Sequence, residues 1–352
     1  MGNALSIPAV SVIIPVINRE KLITQTLESL KAQSYSQWET IIVDDGSTDA
    51  TCKVTKRYIN DDPRFRLINK KSSQNKGQQA SRNIGIREAL GDFLIFLDSD
   101  DLLSSNCLES RIDFMRKNPE LDFAVFPQLI FHNEMDDNKT LINIETKEDA
   151  IDRFLRLAHH AQDVPWLSTS AIWRKLSLAR NDLYWDENIV WDDVWFHFKA
   201  IVYGLKFKMV SSKPDCYYRM HDEARAGDII HTPEGLLSHE DMLLKMYTIL
   251  EKKKLANDER KQAIRRIFFW VVIEEYTKDQ MYKEAISACR RFKSSGILSS
   301  TQYFGFLQFI IICLVLNEHK TLRYYYNRIM RLIWCSSIYK KYPANYLKHI
   351  YC

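Results

Sequence analysis

The chain has 352 residues, 46% of them apolar and 27% charged, enough to bury one large core or two ordinary ones and unlike a disordered composition. A net charge of +4 and an isoelectric point near 8.5 are too mild to imply a nucleic-acid partner. Seven scattered cysteines, none spaced as Cys-X-X-Cys, argue against a disulfide framework or a zinc site and read as reduced thiols of a cytosol.

The opening residues, MGNALSIPAVSVIIPV, lack the basic start and long apolar region of a signal peptide. The Met1-Gly2 start with Ser6 formally fits an N-myristoylation pattern. No apolar run reaches the roughly 18 residues a membrane span needs, and the longest, FGFLQFIIICLVL (304–316), falls short.

In chain order, VSVIIPVI is a β-branched run stopped at a Pro and an Asn. REKLITQTLESLKAQS then sets Leu22, Ile23, Thr26, Leu27 and Leu30 at helical spacing. The unit repeats: WETIIVDD is a second buried strand, TDATCKVTKRYIND a short helix, FRLINK a third strand, GQQASRNIGIREAL a helix and DFLIFLD a fourth strand. Continuous apolar strands between amphipathic helices predict an α/β fold with a mostly parallel sheet covered on both faces. The right-handed crossover rule places the strands' C-terminal ends on one edge.

Polar residues collect at that edge: Pro15 to Asn18, Asp44-Asp45-Gly46-Ser47, and Asp98-Ser99-Asp100-Asp101. Ligands of open α/β sheets bind in the crevice outside it. DDGSTD alone is equally a turn with a helix N-cap. A cap takes one carboxylate, however, and the fourth strand ends on three. Strand alternation would turn Asp98 and Asp100 to one side and Asp101 to the other. Oxygen ligands in an open cleft suit Mg²⁺ or Mn²⁺ shared with phosphate oxygens. With no Walker or Gly-X-Gly-X-X-Gly loop present, the metal and basic side chains would hold the phosphates.

WDDVWFHFKAIVYG has Val194, Phe198 and Ile201 at helical spacing after an acidic first turn, which a helix dipole favours. Two adjacent Asp between Trp191 and Trp195 better fit a base in an aromatic-walled acceptor pocket, where apolar surroundings raise a carboxylate's pKa. Trp166 is either a pocket wall or core, and His159 and His160 match no motif. DCYYRMHDEARAG reads as the last strand of a first domain, residues 1–230. From about Thr232 the pattern is helical, a second domain of residues 231–352. Glu318 to Cys352 holds seven Lys or Arg and one acidic residue among Tyr, Trp and Leu. That segment fits an anionic membrane surface or a bundle with a solvated basic face. No nucleic-acid reader motif occurs, and oligomerisation stays open.

Over residues 9–225, SVIIPVINRE, WETIIVDDGSTD, NKGQQASRNIGIREALGDFLIFLDSDD and WDDVWFHFKAIVYG resemble the ordered motifs of the family 2 glycosyltransferases. These are inverting enzymes of the Rossmann-like GT-A fold that use nucleotide-diphosphate sugars. The resemblance implies that the backbone of Pro15 and Val16 and the side chain of Asp45 hold a uracil-type base, with Asn18 and Arg19 close by. Asn75, Gly77 and Arg82 would lie over the ribose and diphosphate. Asp98, next to Ser99, would touch the ribose, and Asp100 would bind the metal. Asp193 matches the catalytic base and follows Asp192, which stands where the family has Glu, so both are candidates for that role. His221 would join the metal or diphosphate, with Arg219 and Arg225 as phosphate partners. Ile17 stands where the family often has an aromatic residue.

The activity so implied is metal-assisted transfer of a sugar (Gal, GlcNAc, Glc or a relative) from a UDP-sugar to a hydroxyl of a glycan or lipid-linked acceptor in surface polysaccharide assembly. The protein would be cytoplasmic, peripheral on the inner face of the membrane. One rival is a non-catalytic nucleotide-sugar or polysaccharide-binding protein. Another is a nucleotidyltransferase, which would need a basic, Gly-rich loop after the first strand, where this chain has NREKL.

Overall fold

A computed structural model describes residues 7–71, 76–132, 140–142, 149–157, 166–221, 229, 232–316, 319 and 326. Asn75, Arg225, His159, His160, the Met1 start and nearly all of the basic C-terminal segment lie outside them. The chain divides into two compact units, residues 1–157 with 162–228, and residues 229–352 with 158–161.

The first unit is built on strands β1 (Val10–Val16), β2 (Trp38–Asp44), β3 (Phe65–Asn69), β4 (Phe93–Phe96), β5 (Leu102–Leu103), β6 (Phe123–Val125), β7 (Gln128–His132), β8 (Thr140–Ile142), β9 (Ala171–Arg174), β10 (Phe207–Met209) and β11 (Cys216–Met220). Its helices are α1 (Ile23–Lys31), α2 (Thr51–Asp61), α3 (Gln78–Glu88), α4 (Cys107–Lys117), α5 (Ala150–Leu157), α6 (Lys175–Arg180) and α7 (Asp192–Val202). Seven strands form the main sheet in the order β10-β6-β9-β4-β1-β2-β3. Strand β1 lies between β2 and β4, parallel to both, with Ile13 level with Ile41 and Phe96. Strand β9 is antiparallel to both its neighbours. Alternation sorts the central strand: Val12, Ile14 and Val16 share a core with Ile23, Leu27 and Leu30 of α1, while Ile13 meets Gly85 of α3.

At Gly85 a Cβ would overlap Ile13 Cγ2. Replacing Gly by Ala in a helix interior ordinarily gains about 1 kcal/mol, whereas overpacking a filled core costs about 1–3 kcal/mol. Gly85→Ala is therefore expected to lower stability, and a denaturant midpoint above that of the parent would contradict the close approach.

Strand β4 stops at Phe96, and Asp101 N–H donates to the Asp98 carbonyl at 3.2 Å. The Asp98–Asp101 segment is thus a turn rather than pleated strand. Asp101 does part company with Asp98 and Asp100, but through this turn and not through alternation. A second sheet, in the order β5-β11-β7-β8, follows the turn. It is anchored by a buried fork: Arg111 of α4 donates from Nε and Nη2 to Asp215 at 2.9 and 2.7 Å, and from Nη1 to the Thr169 carbonyl at 2.7 Å. Bidentate pairs of this kind fix geometry as well as charge, and this one sets the entry to β11, which carries Arg219 and leads to His221.

In the second unit the described residues form α8 (Pro233–Lys252), α9 (Asp258–Ile267), a π-helical turn Phe268–Ile273, α10 (Glu274–Lys278), α11 (Tyr282–Ser294) and α12 (Ser300–Val315). Starts are marked in the sequence as helix starts usually are. Thr232 caps α8 ahead of Pro233, Asn257 caps α9, and Ser299 and Gln302 make a capping box on α12. Phe268 stacks on Phe292 at 3.7 Å inside the bundle. Among the described residues no helix is long and apolar enough to cross a membrane.

Candidate functional site

The C-terminal edge of the parallel strands carries two acidic turns. In the first, Asp44 is buried and accepts from Gly46 N–H and Ser47 N–H, so it serves the turn itself. Asp45 points elsewhere, pairing through Oδ1 with Lys70 Nζ at 2.6 Å and accepting from Gly77 N–H through Oδ2 at 2.6 Å. Gly77 precedes α3 at φ +101°, a left-handed conformation that side chains disfavour. Its N–H is thereby directed at Asp45.

Pro15 and Val16 are buried in β1, and the Val16 carbonyl already accepts from Asp45 N–H at 2.9 Å. Asn18, at φ 49°, receives Thr48 N–H on its side-chain oxygen at 2.8 Å. Ile17 is exposed.

The second turn holds three carboxylates in three environments. Asp98 is partly exposed and takes Arg82 Nη2 at 2.7 Å; burial pushes its carboxyl above the ordinary range against the pull of Arg82. Asp100 Oδ2 meets His221 Nε2 at 3.0 Å and Arg19 Nε at 3.3 Å. Burial works upward there too, but the His221 hydrogen bond and the Arg19 charge hold Asp100 below its usual value. Asp101 is fully buried, accepts from Arg219 N–H and Thr169 Oγ1, each at 3.0 Å, and is driven well up by burial and by its two acidic neighbours. It braces the turn under β11.

Arg219 braces it as well. The side chain is buried, donates from Nε to the Asp100 carbonyl at 2.9 Å and from Nη2 to Gln25, and lies over the Phe131 ring. Two donors of the Arg219 fork are thus engaged by protein acceptors. Ser99 is buried, with its carbonyl taken by Thr26 Oγ1 at 3.0 Å.

Between the turns and α7 lies Arg82, 1% exposed. It donates from Nη2 to Asp98 at 2.7 Å and from Nη1 to Asp192 at 2.6 Å, and its guanidinium covers the Trp185 ring at 4.4 Å. Asp192 also accepts from Gln78 Nε2 at 3.0 Å and from Asp193 N–H at 2.9 Å. Both Asp192 oxygens thus accept hydrogen bonds.

Asp193, one residue into α7, is only partly buried, and its Oδ1 is a buried atom without a hydrogen-bond partner. Burial first and the Asp192 charge second push its carboxyl up to about 8, against the opposing charge of Arg82. Ser168 Oγ is likewise buried without a partner, and the hydroxyl lies close enough to favour the Asp193 carboxylate.

Trp191 and Trp195 are buried, the latter stacked on Phe198. Trp166 is core, packed edge-on against Phe154. One turn beyond Asp193, His197 is fully buried among Trp166, Trp173 and Trp185. Burial pushes its pKa down to about 3, so the ring is neutral.

Among the described residues, no group of three or more His, Cys, Asp or Glu converges as a metal site. Asp100 and His221 converge as a pair. Sequence reasoning passed over Lys70, Gln78, Ser168 and Trp185. Only Lys70 left a readable trace, since it directly follows β3 on the same sheet edge that gathers the acidic turns.

The glycosyl transferase family 2 model matches residues 11–175. A Haemophilus influenzae protein described as an uncharacterized glycosyltransferase is 40% identical over 114 residues, 32% of this chain and 45% of its own. The poly(ribitol-phosphate) beta-N-acetylglucosaminyltransferase TarS of Staphylococcus aureus is 28% identical over 247 residues, 66% of this chain and 38% of its own. This chain thus spans less than half the length of either relative. The solved structure of S. aureus TarS 1–349 in complex with UDP-GlcNAc superposes with a TM-score of 0.66 over 91% of both chains, at 19% identity. That likeness is one of fold, GT-A.

Proposed function

We propose, from the match of residues 11–175 to the glycosyl transferase family 2 model, that the protein is an inverting sugar transferase using a UDP-sugar donor and a glycan or lipid-linked acceptor hydroxyl. The observation that carries this reading is the buried guanidinium of Arg82. It joins Asp98 of the donor-side turn to Asp192 at the start of α7 at 2.7 and 2.6 Å, and so holds Asp193 at a fixed place relative to that turn.

Inversion by single displacement needs a base across the sugar from the leaving diphosphate. Asp193 has a buried oxygen without a hydrogen-bond partner and a raised pKa, which suit a general base. It takes the proton of the acceptor hydroxyl as that oxygen attacks the anomeric carbon and the bond to the diphosphate breaks. Asp45, Lys70 and the Asn18 turn form the floor for the nucleotide, and Arg19 brings positive charge to the phosphate side.

Asp100 and His221 are the donors that would hold a divalent cation. Water and diphosphate oxygens would complete its shell, as is usual for Mg²⁺ and Mn²⁺ at phosphate. The cation would supply charge stabilisation to the departing diphosphate. The solved complex of a protein of this fold with UDP-GlcNAc supports a UDP-sugar as donor.

Thermal unfolding with UDP, GDP, dTDP and CMP, with and without Mn²⁺, tests this. At 100 times its dissociation constant the cognate nucleotide adds about 2.7 kcal/mol. The expected result is a Mn²⁺-dependent rise in melting temperature with UDP that Asp100→Ala loses. No rise with any nucleotide would remove the transferase reading in favour of a binding or scaffold protein.

A further inference from the structure

Two buried side-chain atoms of the first unit, Oδ1 of Asp193 and Oγ of Ser168, have no hydrogen-bond partner. A buried donor or acceptor left unmet costs stability, so each such atom calls for an account. Ser168 opens the helical turn Ser168–Ser170, whose three residues are fully buried. The other two members hold the turn in place. Thr169 donates from Oγ1 to Asp101 at 3.0 Å, and its carbonyl accepts from Arg111 Nη1 at 2.7 Å. Ser170 Oγ donates to the Leu167 carbonyl at 2.6 Å.

Trp166 and Trp173, on either side of this turn, both pack on His197, with ring centroids 5.6 Å apart in each case. His197 stands one helical turn beyond Asp193 on α7 and so lies on the same face. The packing thereby lays the Ser168 turn against the start of that helix, where the Ser168 hydroxyl comes within reach of the Asp193 carboxyl.

We propose that Ser168 is a positioning residue for Asp193, its hydroxyl donating to the buried Oδ1 so that Oδ2 is the oxygen presented to the acceptor hydroxyl. This rests on the reading of Asp193 as the base. In the transfer step the acceptor's proton goes to Oδ2, and Ser168 keeps its own. A hydrogen bond given to a carboxylate favours its ionised form. Here it works with the charge of Arg82 on α3, and against burial, Asp192 on α7 and Asp98 of the turn after β4. The His197 ring, kept neutral by burial, adds no charge.

The test is thermal unfolding of the parent, Ser168→Ala, Asp193→Asn and the double variant at about pH 5 and about pH 9, on either side of the Asp193 value near 8. At the lower pH the Asp193 carboxyl is neutral, and Ser168→Ala should melt at or above the parent, because it removes a buried hydroxyl that meets no charge. At the higher pH it should melt below the parent, because the folded carboxylate has lost its donor. In the Asp193→Asn background the effect of Ser168→Ala should be equal at both pH values, which isolates the pair. UDP release from UDP-GlcNAc should follow, its rise with pH moving up by about one unit in Ser168→Ala. A Ser168→Ala effect that is equal at both pH values, or whose pH dependence persists in the Asp193→Asn background, overturns the proposal. So does a fall in turnover with an unmoved pH profile, since Ser168 would then serve the fold alone. The melting arms need no turnover: a pH-dependent cycle without UDP release supports the pair and counts against the transferase reading instead.

Discussion

Asp193→Asn is expected to lower the turnover number about 10²–10⁴-fold, the range a positioned general base contributes, while the protein stays folded and still binds nucleotide. The change is nearly isosteric and removes the ability to take a proton. In the parent, the Asp193 carboxyl is raised to about 8 by burial and by Asp192, so the ionised base is a minority below that pH. Activity should therefore climb with pH up to about 8 and level off above it, whereas the Asn variant should be flat.

Stability should move the other way. A carboxyl whose folded pKa lies above its unfolded one contributes stability at low pH that is lost as pH rises through the folded value. An Asn has no such loss, so above about pH 8 the variant should melt higher than the parent. A variant that keeps near-parental turnover would remove Asp193 from the chemistry. One that loses turnover and melts lower would point to a structural role instead.

The second large effect is expected at Arg82. Arg82→Met leaves Asp98 and Asp192 facing each other without the cation that joins them at 2.7 and 2.6 Å. Breaking one side of a buried ionic network costs about 3–5 kcal/mol, because charge stays behind in a low-dielectric site. Chemical denaturation should show a loss in that range. Activity should fall as well, since the raised carboxyls of Asp192 and Asp193 lose the one charge that opposes their burial. Arg82→Lys should recover only part of either loss, because an ammonium cannot span two carboxylates as a planar fork does. A loss below about 1 kcal/mol in the Met variant would mean that water replaces the guanidinium, in which case the network is not what spaces the site.

What was legible in the sequence follows a clear division. The strands VSVIIPV, WETIIVD and FLIF and the helices between them are written in local periodicity, and the structure places them as a parallel set. The acidic turns after β2 and β4 and the acidic start of α7 were legible because polar residues closing apolar strands, or opening a helix, stand out from their neighbours. Strand β9 was not legible. Its four residues, AIWR, carry no sign of direction, and only their pairing with β4 and β6 makes them antiparallel. The second sheet escaped for the same reason, being assembled from short strands far apart in the chain.

The sequence by itself thus determined a mostly parallel sheet and the acidic turns on its polar edge, because these depend on the spacing of side chains within one element. Only the tertiary structure decided which of those residues are engaged by distant segments. Asp192 is held by Arg82, 110 positions away, Asp101 by Arg219, 118 positions away, and Arg219 itself by Gln25 and the Asp100 carbonyl. Asp193 alone of its pair keeps an unpartnered oxygen. The physical reason is that a carboxylate's role is set by burial and by the charges that face it. Those come from segments that meet only when the chain has folded.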